Sequence, residues 1–135
     1  MGAMAMGEAQ AAIDLTLAWV TQRHAFGSPL WSKQAIRHRL AMLAAKAEAG
    51  RQLVFHAAWL ATRGIEATRE VAMVKAYCGE LVNEVMHACL QFHGGWDSYE
   101  RAPSNAWQRD ARVHAIGGGA TEVMLEEIAK RMHIR

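Results

Sequence analysis

The stretch SKQAIRHRLAMLAAKAEAGRQLVFHAAWLATRG, residues 32–64, decides the fold. Ile36, Leu40, Leu43, Ala47, Gly50, Val54, Ala57 and Ala61 recur at alternating steps of four and three. That spacing sets side chains on one face of an α-helix. The face is narrow and unusually small in its middle, so another helix can approach closely there. Ser32 is placed to cap the start, because a serine hydroxyl accepts a hydrogen bond from the free amides of a first turn. Gly64 is placed to stop the helix at C′, with Arg63 in the last turn.

The same rhythm continues on both sides. Val71, Val74, Cys78, Leu81, Val85, Cys89 and Phe92 predict a third helix from about Glu66 to Gly94, ended by Gly94-Gly95. Upstream, Ile13, Leu17 and Val20 predict a first helix from about Glu8 to Arg23. Met1 to Gly7 is small and featureless, and reads as an expression remnant or the stump of a helix. Ala25-Phe26-Gly27-Ser28-Pro29 breaks the chain between the first two helices, since proline cannot continue the hydrogen-bond ladder. A shorter segment from about Pro103 to Ile116 has proline in its first turn. Gly117-Gly118-Gly119 is a further break, and Thr121 is placed to cap a last helix that runs to about Met132. No segment alternates with period two. The expected fold is therefore all-α: an up-and-down four-helix bundle with an additional short helix, one domain over residues 1–135.

Composition excludes more than it assigns. The net charge is +2, with the basic residues scattered among acids, so no nucleic-acid surface is expected. No apolar run approaches the ~20 residues that span a bilayer, and no charged segment leads into an apolar core at the N-terminus. A cytoplasmic protein with no membrane contact is the expectation. Cys78 and Cys89 lie three turns apart on one predicted helix, about 16 Å, too far for a disulfide, so they read as buried free thiols.

Few residues carry chemistry by pattern alone. Among the seven histidines, Glu84-Val-Met-His87 has the i, i+3 spacing of a di-iron helix, but no second such pair accompanies it. No metal site is expected, and a metal-binding bundle built on Glu84 and His87 is the weakest of three readings. Gly117-Gly118-Gly119 before a helix could offer amides to a phosphate, though a glycine run is also an ordinary linker. Trp31, Trp96 and Trp107 lie in or near connections, where burying an indole takes a second surface.

Taken in order, five short motifs resemble the acyl-CoA dehydrogenase family. Arg23-His24-Ala25-Phe26-Gly27 is similar to its Arg-x-x-Phe-Gly turn, and Lys33-Gln34-Ala35-Ile36 to its Gln-x-Ile helix start. Gln91-Phe92-His93-Gly94-Gly95 resembles its Gln-x-x-Gly-Gly helix end, and Arg109-Asp110-Ala111-Arg112 its Arg-Asp-Ala-Arg/Lys segment. Ile116 to Val123 resembles the turn before its last helix. The resemblance implies the family's C-terminal helical domain, which in a complete enzyme follows a helical N-terminal domain and a middle β-barrel.

The resemblance also implies roles. Arg23 and Phe26 would face the FAD of a neighbouring subunit, and Gln34 its adenosine portion. Gln91, Gly94 and Gly95 would pack against FAD across the dimer. Thr121 and Glu122 would lie near the adenine-side phosphates or ribose. The implied reaction is α,β-dehydrogenation of an acyl-CoA thioester, which needs a carboxylate base. In many members that base is the Glu of a Glu-Gly-Thr sequence, and here Gly118 occupies its place. Some members carry the Glu on an earlier helix, which would fall upstream of Met1; Glu8 comes too late to serve. Arg101 replaces an acid usually found before Pro103. No catalytic residue is therefore assigned.

The leading reading is a fragment that supplies FAD-contacting and oligomer-forming surface and is inactive alone, with FAD bound only in the complete enzyme. It would form a homo-dimer or tetramer and meet acyl-CoA only beside the other domains or a partner subunit. The alternative is a non-catalytic module that self-associates through the small-residue seam and exposed tryptophans.

Overall fold

The computed structural model describes residues 1–94 and 108–132. Helix α1 spans Gly2–Gln22, α2 Gln34–Thr62 and α3 Thr68–His93. A helical turn at 108–111 leads into the short α4, Val113–Ile116, and α5 covers Thr121–Ala129. Gly2 at the start of α1 lies beside Val54 of α2 and Val74 of α3. At the other end of α1, the Trp19 Nε1–H donates to the Phe92 carbonyl at 3.1 Å. Helix α1 therefore runs parallel to α3 and antiparallel to α2. Helix α5 runs back down α3: it begins where Thr121 meets Glu80 and ends near Glu66. The Glu66 carboxyl is held below its usual range, first by hydrogen bonds from Thr68 and in small part by the charge of Arg131. The result is an up-and-down bundle of four helices with α4 as the additional short one.

Several local expectations change. Helix α1 starts at Gly2, and Ala5 and Met6 are buried in the core, so the first residues are working helix. Leu17 is exposed and Thr16 takes its place on the buried face, because α1 presents its Ala9, Ala12, Ile13, Thr16 and Val20 stripe to α3. Ser32 does not cap α2; Lys33 holds that position. The Ser32 hydroxyl, in the 3-10 turn at Leu30–Ser32, instead donates to the Pro29 carbonyl at 2.7 Å and lies 2.8 Å from the Ser28 hydroxyl. Ala120, not Thr121, is the N-cap of α5. The break at 25–29 is a hairpin: His24–Ala25 pairs antiparallel with Ser28–Pro29 across Phe26 and Gly27, at φ of 53° and 79°. Two left-handed residues give the type I′ geometry that suits a two-residue hairpin. Residues 103–107 of the segment from Pro103, Trp107 included, together with Trp96, lie outside the described residues; its remainder is the turn at 108–111 and α4.

Gly64 ends α2 as expected. Its N–H donates to the Ala61 carbonyl at 3.1 Å and the Ile65 N–H to the Leu60 carbonyl at 3.1 Å, the paired bonds of a Schellman motif. The φ of 68° there suits glycine.

The core runs along α3. Met6, Ile13, Leu43, Ala47, Cys78, Leu81, Val82, Val85 and Met86 form one buried cluster from α1, α2 and α3. The small seam of α2 is used inside the chain: a Cβ on Gly50 would stand 2.5 Å from Met6 Sδ and 3.5 Å from Cys78 Sγ. The seam is therefore closed to self-association. Both cysteines are free and buried. Burial pushes the Cys78 thiol up to about 11 and raises that of Cys89. Thiolate is the reactive form. A disulfide reagent at mildly alkaline pH should therefore leave both thiols untouched in the folded chain and modify both in concentrated guanidinium, counted by mass spectrometry. Rapid labelling of native Cys78 would contradict this packing.

Candidate functional site

The antiparallel course of α2 brings three chain segments to one end of the bundle: the C-terminus of α1, the N-terminus of α2 and the C-terminus of α3. Arg23 is the C-cap of α1, its N–H bonded to the Trp19 carbonyl at 2.8 Å. Its own carbonyl accepts from the Leu30 N–H at 2.8 Å, which closes the hairpin. The Arg23 side chain is exposed and enters no ion pair among the described residues. Phe26 stands at the hairpin tip, 94% exposed, in a left-handed conformation that costs a non-glycine residue energy. Gln34 opens α2 and is exposed.

The end of α3 is anchored from α1. The Thr16 hydroxyl and His93 Nε2 are 3.2 Å apart in a buried pair, and the rings of Trp19 and His93 stack at 5.3 Å. These contacts, with the Trp19 bond to Phe92, fix the last turn, where Gln91 and Gly94 are exposed. Gly94 has φ 64°, and a Cβ there would meet nothing within 4 Å among the described residues. Another molecule could thus approach the backbone at Gly94. Gly95 lies outside the described residues. Sequence patterns did not single out Thr16 or His93; a threonine on an apolar stripe was the available signal.

Thr121 and Glu122 stand elsewhere. The Thr121 hydroxyl donates to Glu80 Oε1 at 2.7 Å and approaches the Ala115 carbonyl at 3.3 Å. Glu80 precedes Gln91 by eleven helical residues, roughly 16 Å along α3. The nominated residues therefore form two groups: Arg23, Phe26, Gln34, Gln91 and Gly94 at one end, Thr121 and Glu122 halfway along.

The glycine turn lies against α3 and the start of α1. Lys75, Gly79 and Asn83, one face of α3, receive residues 111–115. The buried Lys75 Nζ donates to the His114 carbonyl at 2.6 Å, and Asn83 Nδ2 donates to the Ala111 carbonyl at 3.2 Å. A Cβ on Gly79 would stand 2.7 Å from the His114 carbonyl oxygen. A Cβ on Gly118 would stand 2.6 Å from Met1 Sδ, so the position of the resembled base and the first turn of α1 are neighbours.

Glu84 and His87 do not assemble into a larger set. Both Glu84 oxygens accept from Lys46 Nζ, at 2.8 and 2.9 Å, and Arg39 lies 3.1 Å away. The bond from Lys46 is the main reason that the Glu84 carboxyl is held low. Among the described residues no three His, Cys, Asp or Glu side chains are grouped to hold a metal ion, and no helix is long and apolar enough to cross a membrane.

The family described as acyl-CoA dehydrogenase, C-terminal domain, matches residues 1–133. The chain belongs to the acyl-CoA dehydrogenase family. Its helical bundle is the C-terminal fold of that family. It is 36% identical over 132 residues to an acryloyl-CoA reductase (NADH) of Anaerotignum propionicum, across 98% of this chain and 34% of that protein. An acyl-CoA dehydrogenase of Bacillus subtilis is 34% identical over 96% of this chain and 34% of its own length. The solved butyryl-CoA dehydrogenase of Megasphaera elsdenii superposes with a TM-score of 0.93 at 32% identity, over 96% of this chain and 34% of that one. The chain spans about a third of the length of these acyl-CoA dehydrogenase relatives.

Proposed function

We propose that this chain is the C-terminal helical wall of a flavin-dependent acyl-CoA dehydrogenase, supplying surface that faces FAD and surface that joins subunits. One observation carries the reading most: Phe26 holds an unfavourable backbone conformation to present a 94% exposed ring three residues after the exposed Arg23. Strain of this kind persists where it serves a ligand or partner. The donor set suits the dinucleotide. A guanidinium offers parallel N–H donors to a pyrophosphate, and the Phe26 ring offers an apolar face. Gln34 can donate and accept on an adenosine edge, and Gly94 and Gly95 carry no side chain to stand between a ligand and the chain. Thr121 and Glu122 would serve only the more distant groups of the dinucleotide, and the Thr121 proton is already given to Glu80.

FAD held by Arg23, Phe26, Gln34, Gln91 and Gly94 would supply the acceptor for the hydride that an acyl-CoA thioester loses together with its α-proton. Gly118 offers no side chain to take that proton, so in this chain the residues bind and orient. Phe55 and Trp59, one turn apart, stay exposed on α2 and are the surface assigned to contact with further subunits or domains.

The test is chemical-shift mapping of the isotope-labelled chain with millimolar FAD. The amide signals of Arg23, Phe26, Gln91 and Gly94 should move together, and Arg23→Ala should weaken binding by roughly tenfold, the loss of one charge-assisted hydrogen bond. Shifts confined to other faces, or indifference to Arg23→Ala, would overturn the reading.

A further inference from the structure

We infer that Glu8 and His114 are a positioning pair that sets the glycine turn against helix α1. Glu8 Oε2 lies 2.9 Å from His114 Nε2, joining residues 106 apart in sequence. The His114 side chain is 8% exposed and that of Glu8 is 40% exposed, so the carboxylate reaches inward from the bundle's edge. An ionised carboxylate only accepts, so Nε2 carries the proton. Among the described residues His114 Nδ1 is buried and has no hydrogen-bond partner. The ring is therefore held by this one polar contact.

Apart from the burial of Ala111 in the core and the Thr121 hydroxyl 3.3 Å from the Ala115 carbonyl, the other ties on this segment act on backbone and come from α3. Lys75 Nζ takes the His114 carbonyl, Asn83 takes that of Ala111, and Gly79 gives the His114 carbonyl room to approach. They fix the height of residues 111–115 on α3 but leave their lateral placement against α1 open. The His114 side chain closes that second direction. Three residues further on, a Cβ on Gly117 or Gly118 would meet the side chain of Met1, at 3.7 and 2.6 Å; Met1 is the N-cap of α1, seven residues before Glu8. The pair and this contact thus bracket the junction of α1 with the glycine turn. A part-buried polar pair suits this task better than an apolar one, because its geometry is directional and a slipped register would strand the buried imidazole. Its bearing on a flavin reaction rests on the function proposed above; its existence as a device does not.

The experiment uses the whole chain without flavin, so a failed flavin reading leaves it unaffected. The readouts are the ring nitrogen shifts of His114 and the amide signals of Gly117, Gly118 and Gly119. Glu8→Ala and Glu8→Asp, which withdraws the carboxylate by one methylene, should both move the His114 nitrogens and displace or broaden the three glycine signals. Signals of α2 should stay in place. Glu8→Gln keeps length and a hydrogen-bonding oxygen, and should restore the glycine signals. Where Glu8→Ala fails to fold, Glu8→Asp against Glu8→Gln carries the comparison. Unmoved glycine signals in Glu8→Asp, or shifts spread evenly over the bundle, would overturn the inference while the flavin proposal stood.

Discussion

Replacing Leu43 with alanine should lower the stability of the chain by about 2–5 kcal/mol. Leu43 is wholly buried in the cluster where α1, α2 and α3 meet. Truncation removes the transfer free energy of the isobutyl group and leaves a cavity that the surrounding helices close only in part. Its neighbours are held by backbone ladders, so collapse into the space is limited. At this chain length each kcal/mol moves Tm by roughly 3–6 °C, so thermal unfolding followed by circular dichroism should show a fall of about 6 °C or more. Met42, next in sequence but exposed, supplies the control. Met42→Ala should change stability by at most ~0.5 kcal/mol, as surface substitutions do. Equal effects at the two positions would contradict the assigned face of α2.

Gly79→Val should cost about 3 kcal/mol, through a different cause. A Cβ at Gly79 meets the His114 carbonyl oxygen at 2.7 Å, its carbon at 3.2 Å and Ala115 Cα at 3.3 Å. All three are backbone, tied down by Lys75 and Asn83, so nothing there can swing aside. Overpacking of this kind costs ~1–3 kcal/mol, and a β-branched residue recovers less of glycine's helix penalty than alanine would. Gly50 tests the reasoning, because its nearest neighbour is the thioether of Met6. That end of a flexible side chain can rotate away. Gly50→Ala should thus stay within about 1 kcal/mol of the parent, the gain in helix propensity offsetting the repacking. Urea melts of the two variants decide between these outcomes, and a mild Gly79→Val would show that α4 does not press on α3.

Helix positions were legible because burial follows a period that the residues repeat. Leu40, Leu43, Ala47, Gly50 and Ala57 fell on the buried face of α2 as the spacing required. Gly64 was legible because its left-handed stop has one favoured residue. Ser32 and Thr121 misled for a common reason: a hydroxyl has several possible partners, and a tertiary neighbour or a preceding turn outcompeted the cap. Leu17 misled because α1 turns its alanine stripe to α3, and small residues carry little weight in a reading of hydrophobic pattern. The hairpin at Phe26 was read as a plain break, since two residues of strand on each side are too short to alternate. In the candidate site, the motif residues were legible as types; their assembly at one end of the bundle follows from the alternating helix directions. Glu8, Lys75 and His114 gave no signal, because contacts across 39 and 106 residues leave no local period.

The meeting of Glu8 with His114, and of Met1 with Gly118, has a consequence for synthesis. Translation proceeds at ~5–20 residues per second, so the partners of this stretch of α1 are made roughly 5–20 s after it leaves the ribosome. During that interval the side of α1 destined for the glycine turn faces water and passing chaperones. A glutamate there, in place of a leucine, keeps the waiting surface hydrated until its histidine arrives.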